Sequence, residues 1–533
     1  MTKFVVRKDG KKMAVMIVFL IAFFAVMVTV GVLTAKHAKD VDGFVLGGRK
    51  AGAWLTAFAF GTSYFSAVIF VGYAGQFGWN FGLASTWIGL GNAFIGSLLA
   101  WNILGRRTRV MTQHIESRTM PDFFAKRFDD KTLRIVASFI VFIFLIPYTA
   151  SLYNGLSSLF GIAFNIPYWV IILVMAALTA VYVIFGGYMA TAVNDFIQGI
   201  IMLIGIVAVI AAVFADNGGF MSAVNKLSLV DAGTELNGGM TSFFGPDPLS
   251  LLFVVLLTSL GTWGLPQMVG KFYSIKSEDA IQKGTIISTF FAIVVAGGCY
   301  FLGGFGRLYA DKVTVGANGK IAFDSIIPTM LSGLPKAIIG IVIVLVLAAS
   351  MSTLSSLVLT SSSTLTLDVI QPLGKKEMDP KRQLVLMRAL IVFFIIVSAV
   401  IAIVKDAYGF TFIAQMMGVS WGALAGAFLA PFLYGLYWKK TTVASVWASF
   451  IFGCGTMIFQ LVVSLAGIKI ANPVLGYLFA NSIRSGVVAM VGGLILVPVV
   501  SALTRKMDTQ QVDGIFSCYD SVVTTTVKND LGE

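Results

Sequence analysis

Apolar runs of about 20 residues or more recur along almost the whole of this 533-residue chain, and no other feature narrows its possible folds so far. A helix needs about 20 residues to cross roughly 30 Å of hydrocarbon. The run from Met13 to Ala35 carries no Asp, Glu, Lys or Arg. At about 23 residues it exceeds the roughly 7–15 residues of a signal-peptide apolar region, and no A-x-A-like cleavage site follows. It reads as a retained helix. Charged residues are 12% of the chain, against about 25% in soluble domains. The expected fold class is therefore an all-α integral membrane protein, with the lipid bilayer as its solvent and partner.

About thirteen spans emerge, roughly 13–35, 53–78, 84–104, 135–158, 167–185, 190–214, 249–270, 285–306, 336–367, 387–404, 408–436, 441–466 and 485–503. An odd number places the termini on opposite sides. The net charge of +13 points to no nucleic acid, because the cations sit in short loops between apolar runs. The loops 36–50, 105–134, 271–284, 368–388 and 439–440, with the tail after 503, hold 25 of the 38 Lys and Arg. Cytoplasmic loops collect such residues, so the expected orientation is an outside N-terminus and a cytoplasmic C-terminus. The basic N-terminal tail, 1–12, runs against this with Lys3, Arg7, Lys8, Lys11 and Lys12. The loops decide because they sum several independent segments.

Irregular backbone inside a membrane is tolerated only against protein or a water-filled cavity, so interrupted spans mark sites. The second span contains Gly61-Thr62-Ser63-Tyr64-Phe65-Ser66. The seventh contains Gly261-Thr262-Trp263-Gly264-Leu265-Pro266-Gln267, where Pro266 removes a backbone donor. Each opens a set of five spans, 53–214 and 249–436, and matched interruptions in two halves are the sequence mark of a transporter site. A substrate would then lie near Thr62, Ser63, Tyr64, Ser66, Thr262, Trp263 and Gln267. In the ninth span Ala349, Ser352, Thr353 and Ser356 share one helix face, with Ser355 at its edge. That stripe suits a small hard monovalent cation, or equally hydroxyls that bond back to their own helix. Asp195 lies about one turn into the sixth span, and a carboxylate there is either functional or interfacial.

These residues resemble the sodium:solute symporter family from about residue 40 to 440. The resemblance rests on Phe44-Val-Leu-Gly-Gly-Arg49, the Gly61–Ser66 patch, Phe185-Gly-Gly187 leading to Asn194, Asp195 and Gln198, and Ala349–Ser356. It implies thirteen helices, a core like that of the amino-acid transporter LeuT made of two inverted five-helix repeats, and sodium coupling. The extra N-terminal helix 13–35, two C-terminal helices within 441–503 and a cytoplasmic tail 504–533 would flank that core. A shared sodium site would use backbone oxygens of Thr62, Phe65 and Ala349 and the hydroxyls of Ser352 and Thr353. A second sodium site would use Asp195, Ser352, Ser355 and Ser356. Within the family the sequence resembles the pantothenate and proline branch. Gly264-Leu-Pro266, Asn194-Asp195 and Ile327-Pro-Thr-Met330 resemble the pantothenate type. Tyr64, Thr258 and Thr262 depart from the proline type, which has an Asp at the first position and aromatics at the other two. The fourth span lacks the Arg of a sialic acid carrier.

Other classes fit poorly. No G-x-x-x-x-G-K-[ST] occurs for a pump. His37 and His114 lie in charged loops, and Cys299, Cys454 and Cys518 are scattered, so neither a catalytic nor a metal centre other than sodium is indicated. The expected activity is sodium-coupled import of a small organic solute, pantothenate-like or another monocarboxylate or amino acid, across the cell membrane by alternating access. It is no enzyme, Na+ is its coupling ion, no cofactor is needed, and no obligate protein partner is evident. A membrane nutrient sensor of the same fold is the alternative.

Overall fold

The computed structural model describes residues 18, 20–164, 167–233, 238–315, 319, 321–374, 378–407 and 413–520. The N-terminal tail 1–12 and the end of the C-terminal tail lie outside them. Among the described residues the regular elements are helical, apart from isolated bridges joining Ala51 to Ile275 and Val315 to Ile321.

Among the described residues ten helices are long and apolar enough to cross a membrane, or eleven when the bent pair Pro248–Gly264 and Pro266–Tyr273 is one span. Two of the ten, Val68–His114 and Trp169–Asp216, run 47 and 48 residues. Straight, each would measure about 70 Å, over twice the hydrocarbon thickness. Each holds a glycine in a conformation closed to other residues, Gly82 (φ 60, ψ −139) and Gly187 (φ 53, ψ −143). Division at those glycines matches the expected span boundaries; length and composition alone do not yield thirteen.

The helices that position the site are α1 (Leu20–His37), α2 (Ala53–Tyr64), α3 (Ala74–Phe81), α4 (Lys131–Phe164), α5 (Tyr168–Asp216), α6 (Pro248–Ser259), α7 (Pro266–Tyr273), α8 (Lys336–Thr364), α9 (Ile413–Tyr437) and α10 (Thr509–Phe516). Local chemistry starts α6 clearly. Asp247 accepts from the Ser250 amide at 3.0 Å, and Pro248 occupies the first turn, where its missing N–H costs nothing.

Lipid, not water, decides which faces are apolar outside. Leu33, Trp169, Phe393 and Leu465 are all more than half exposed, as suits a hydrocarbon solvent. The spans containing α8 and α9 are the inner ones, with 78% and 89% of their most apolar windows buried against 17% for α1. α1 is held from the side: Asn194 Nδ2 donates to the Met27 carbonyl at 3.3 Å and Gln198 Nε2 to the Met27 sulfur at 3.1 Å. Close helix crossings rely on missing side chains. A Cβ built on Gly78 of α3 would stand 2.0 Å from the carbonyl carbon of Gly303.

Three expected boundaries move. Lys271, assigned above to a cytoplasmic loop, belongs to α7 and is 4% exposed. Asp368, assigned to the next loop, lies on the helical continuation of α8 and is buried, accepting from Thr119 Oγ1 at 2.6 Å. The start of the C-terminal tail is packed, not free. α10 is tied down by Lys439 to Asp513 at 2.7 Å, and Tyr519 OH donates to the Arg107 carbonyl at 3.2 Å.

Candidate functional site: two broken helices around a buried oxygen cluster

Both expected interruptions are breaks, and they have the same backbone geometry. α2 ends at Phe65 (φ −90, ψ 113), and the turn Leu260–Gly264 ends at Leu265 (φ −89, ψ 118). At Leu265 the cause is local, since a proline pushes the preceding residue into the extended region. An extended residue leaves the carbonyls of the turn before it without helical donors.

α8 meets the freed carbonyl of Thr62 at the first break. Ser352 Oγ donates to the carbonyls of Thr62 and Ala349, each at 3.2 Å, and Thr353 Oγ1 reaches the same two oxygens, again at 3.2 Å. All four residues are fully buried. Oxygens held about 2.4 Å from a hard cation of sodium's size stand about 3.4 Å apart at right angles. The observed cluster is close to that spacing, and turning two hydroxyl hydrogens outward would present four oxygens to one ion. The fifth expected oxygen, on Phe65, belongs to the extended residue of the break.

The residues of the expected second sodium site are brought together with a group that the sequence reading missed. Asp195 is fully buried, not interfacial, and the Lys271 ammonium lies 3.7 Å from its Oδ2. Lys271 Nζ also donates to Ser356 Oγ at 2.9 Å, and Ser356 Oγ is bonded to Ser63 Oγ at 2.7 Å. Ser355 Oγ donates to the Ser352 carbonyl at 2.9 Å. The missed signal was the spacing of Lys271 four residues after Gln267, which puts both on one face of α7.

The expected substrate residues divide into two groups. Tyr64 OH donates to the Thr258 carbonyl at 2.5 Å, and its ring stacks on Trp421 of α9 at 6.0 Å; Tyr148 of α4 meets the same indole edge-on at 6.0 Å. Ser66 Oγ and Trp421 Nε1 both face Tyr148 OH without reaching hydrogen-bond geometry, and among the described residues neither has another partner. Gln267, 2% exposed, has both amide atoms unpartnered among the described residues and lines a narrow cavity of about 50 Å3 with Lys271 and Ser356. Buried polar atoms of this kind normally find partners; here several converge on aromatic surface. Thr262 and Trp263 are already satisfied, through the Ser259 carbonyl at 2.8 Å and the Ile95 carbonyl at 3.1 Å. Trp421 and Tyr148 carried no sequence signal beyond lying in apolar spans.

Larger polar cavities lie toward either face. One of about 850 Å3 is lined by Arg49, Arg118, Asp122 and Asp368, from loops expected in the cytoplasm. One of about 620 Å3 is lined by Asn80, Asp247, Arg307 and Arg484, near loops expected outside. Tyr64→Phe deletes one bond that ties α2 to α6 between them. The expected result is a several-fold weaker solute affinity with unchanged protein yield, read by uptake and by detergent-solubilised recovery. About 1 kcal/mol, a typical net hydrogen bond, corresponds to about fivefold.

Paired broken helices packed on a buried polar stripe define the protein as an all-α, multi-pass membrane transporter with a LeuT-like fold. The chain belongs to the sodium:solute symporter family, whose family model matches residues 44–453. It is 28% identical over 447 residues to the osmoregulated proline transporter OpuE of Bacillus subtilis (strain 168), covering 83% of this chain and 88% of that one. It is also 28% identical over 499 residues to the sodium/proline symporter of Staphylococcus aureus (strain NCTC 8325 / PS 47), covering 92% and 93%. A solved Na+-coupled sialic acid symporter in a substrate-bound outward-open state shares the fold at a TM-score of 0.73 and 18% identity, over 92% of this chain and 98% of that one. The family and these relatives are transporters, which are not enzymes, and the family, the Staphylococcus aureus relative and the sialic acid symporter are named for sodium. Both of these sequence relatives are named for proline.

Proposed function

We propose that this chain imports a small zwitterionic amino acid, with L-proline the first candidate, using sodium held at the crossing of α2 and α8. The observation that carries the sodium part is the cluster formed by the Thr62 and Ala349 carbonyls with the hydroxyls of Ser352 and Thr353. It joins one broken helix to one inner helix, so an ion there would favour one arrangement of the two over another, as coupling requires. The names of the sequence relatives support proline. The site chemistry agrees with a small amino acid: Ser66, Tyr148, Trp421 and Gln267 offer donors suited to a carboxylate, and the Tyr64 and Trp421 rings offer apolar faces. The cytoplasmic C-terminus belongs to the same proposal, supported by the loop charges.

The test is uptake by the full-length protein in proteoliposomes from a panel of L-proline, pantothenate, sialic acid and acetate. L-proline should accumulate at least tenfold over the other three, and only with an inward sodium gradient. Equal accumulation with potassium replacing sodium would refute the coupling. Selective uptake of pantothenate would refute the solute.

A further inference from the structure

We infer that the Lys271 ammonium is a tethered cation standing in the second cation place beside Asp195, so that the protein binds a single sodium ion. This deepens the proposed function and rests on its sodium site. The second place would be formed by Asp195, Ser355 and Ser356, with Ser352 shared with the first. Lys271 reaches into it from α7, 3.7 Å from Asp195 Oδ2 and 2.9 Å from Ser356 Oγ. The face of the Tyr188 ring, 5.6 Å away, closes the other side. Among the described residues no hydrogen bond reaches either Asp195 oxygen, so the ammonium supplies its neutralisation.

Two facts make this a replacement and not an incidental ion pair. Charge comes first: Asp195 and Lys271 are 0% and 4% exposed, and together they are neutral. A sodium ion added between Asp195 and Ser356 would meet a like charge within a few ångströms in a medium that screens poorly. The lysine would have to give up both Asp195 and Ser356 to make room. The second fact is attachment. α7 begins at the Leu265 break, and Lys271 shares a helical face with Gln267, whose amide is unpartnered among the described residues and lines the same narrow cavity. The charge that a free ion would bring and release is thus fixed to the half-helix that carries a candidate solute-binding residue. On the other side, Ser356 bonds Ser63 next to the α2 break. The chain of bonds from Lys271 through Ser356 to Ser63 therefore joins both broken helices, and a tethered charge can strengthen or loosen their contact without crossing the membrane.

The experiment counts bound sodium directly, by equilibrium binding of radioactive sodium to the purified full-length protein, and so needs no knowledge of the solute. One saturable site per chain with a Hill coefficient near one is expected in the wild type. Lys271→Gln should open a second site and raise the saturating count to two sodium ions per chain. Lys271→Gln combined with Asp195→Asn should return it to one, whereas Lys271→Arg should stay at one throughout. Two sites in the wild type overturn the inference while leaving sodium coupling intact, and that count stands even if a variant does not fold. A folded Lys271→Gln protein that still binds one sodium overturns it as well. No sodium binding at all in the wild type overturns both this inference and the sodium-coupled reading, and is told apart from the other failures by its zero count.

Discussion

Removing the Ser352 or the Thr353 hydroxyl is expected to raise the sodium concentration for half-maximal uptake by about ten- to hundredfold, and the double variant Ser352→Ala, Thr353→Ala should lose sodium dependence altogether. Each hydroxyl now donates to two carbonyls, those of Thr62 and Ala349. With an ion bound it would instead turn its oxygen inward. An interaction between a charge and a buried polar group contributes about 1.5–3 kcal/mol, which is one to two decades of affinity at about 1.36 kcal/mol per decade. The two hydroxyls share both carbonyl partners, so their losses should not simply add. The fold should survive, because alanine is a good helix former and each change removes one small polar group. Sodium titration of uptake in proteoliposomes, with thermal stability measured on the same preparations, separates the outcomes. Wild-type sodium dependence in both single variants would remove this cluster as the coupling site.

Gly78→Val should prevent the protein from reaching its folded state. The Cβ of any residue at position 78 would meet the Gly303 carbonyl carbon and oxygen at 2.0 Å, and the Gly304 nitrogen at 2.7 Å. These are backbone atoms, so no rotamer change relieves the contact and two helices must separate. Overpacking a close crossing costs about 1–3 kcal/mol or more, and valine adds two methyls to the clash. Gly455→Val is the comparison, since a Cβ there meets nothing within 4 Å. Size-exclusion profiles and melting in detergent should show Gly78→Val aggregated or melting at least 10 °C lower, with Gly455→Val close to wild type. Similar melting of the two would mean that the crossing is not closely packed.

Sequence alone determined the fold class, because a membrane leaves a chain few choices. Uninterrupted apolar runs must become helices, since no water is available to satisfy their backbone groups. The breaks were legible for the same reason: glycine, small hydroxyls and Pro266 stand out inside such runs. The hydroxyl stripe of α8 was legible because helical period alone puts Ser352, Thr353 and Ser356 together. What no local pattern carries is which freed carbonyl meets which hydroxyl, or which charge meets which charge. Lys271 looked like a loop cation because it ends an apolar run, and Asp195 looked as much interfacial as functional. Only the packing of α7 against α5 and α8 makes them partners, because the energy that buries a charge comes from its neighbour across the fold and not from its neighbours in the chain. Asn194 and Gln198 show the same limit: both were legible as polar residues in a membrane helix, yet the structure sets them on α1, 167 and 171 residues away along the chain.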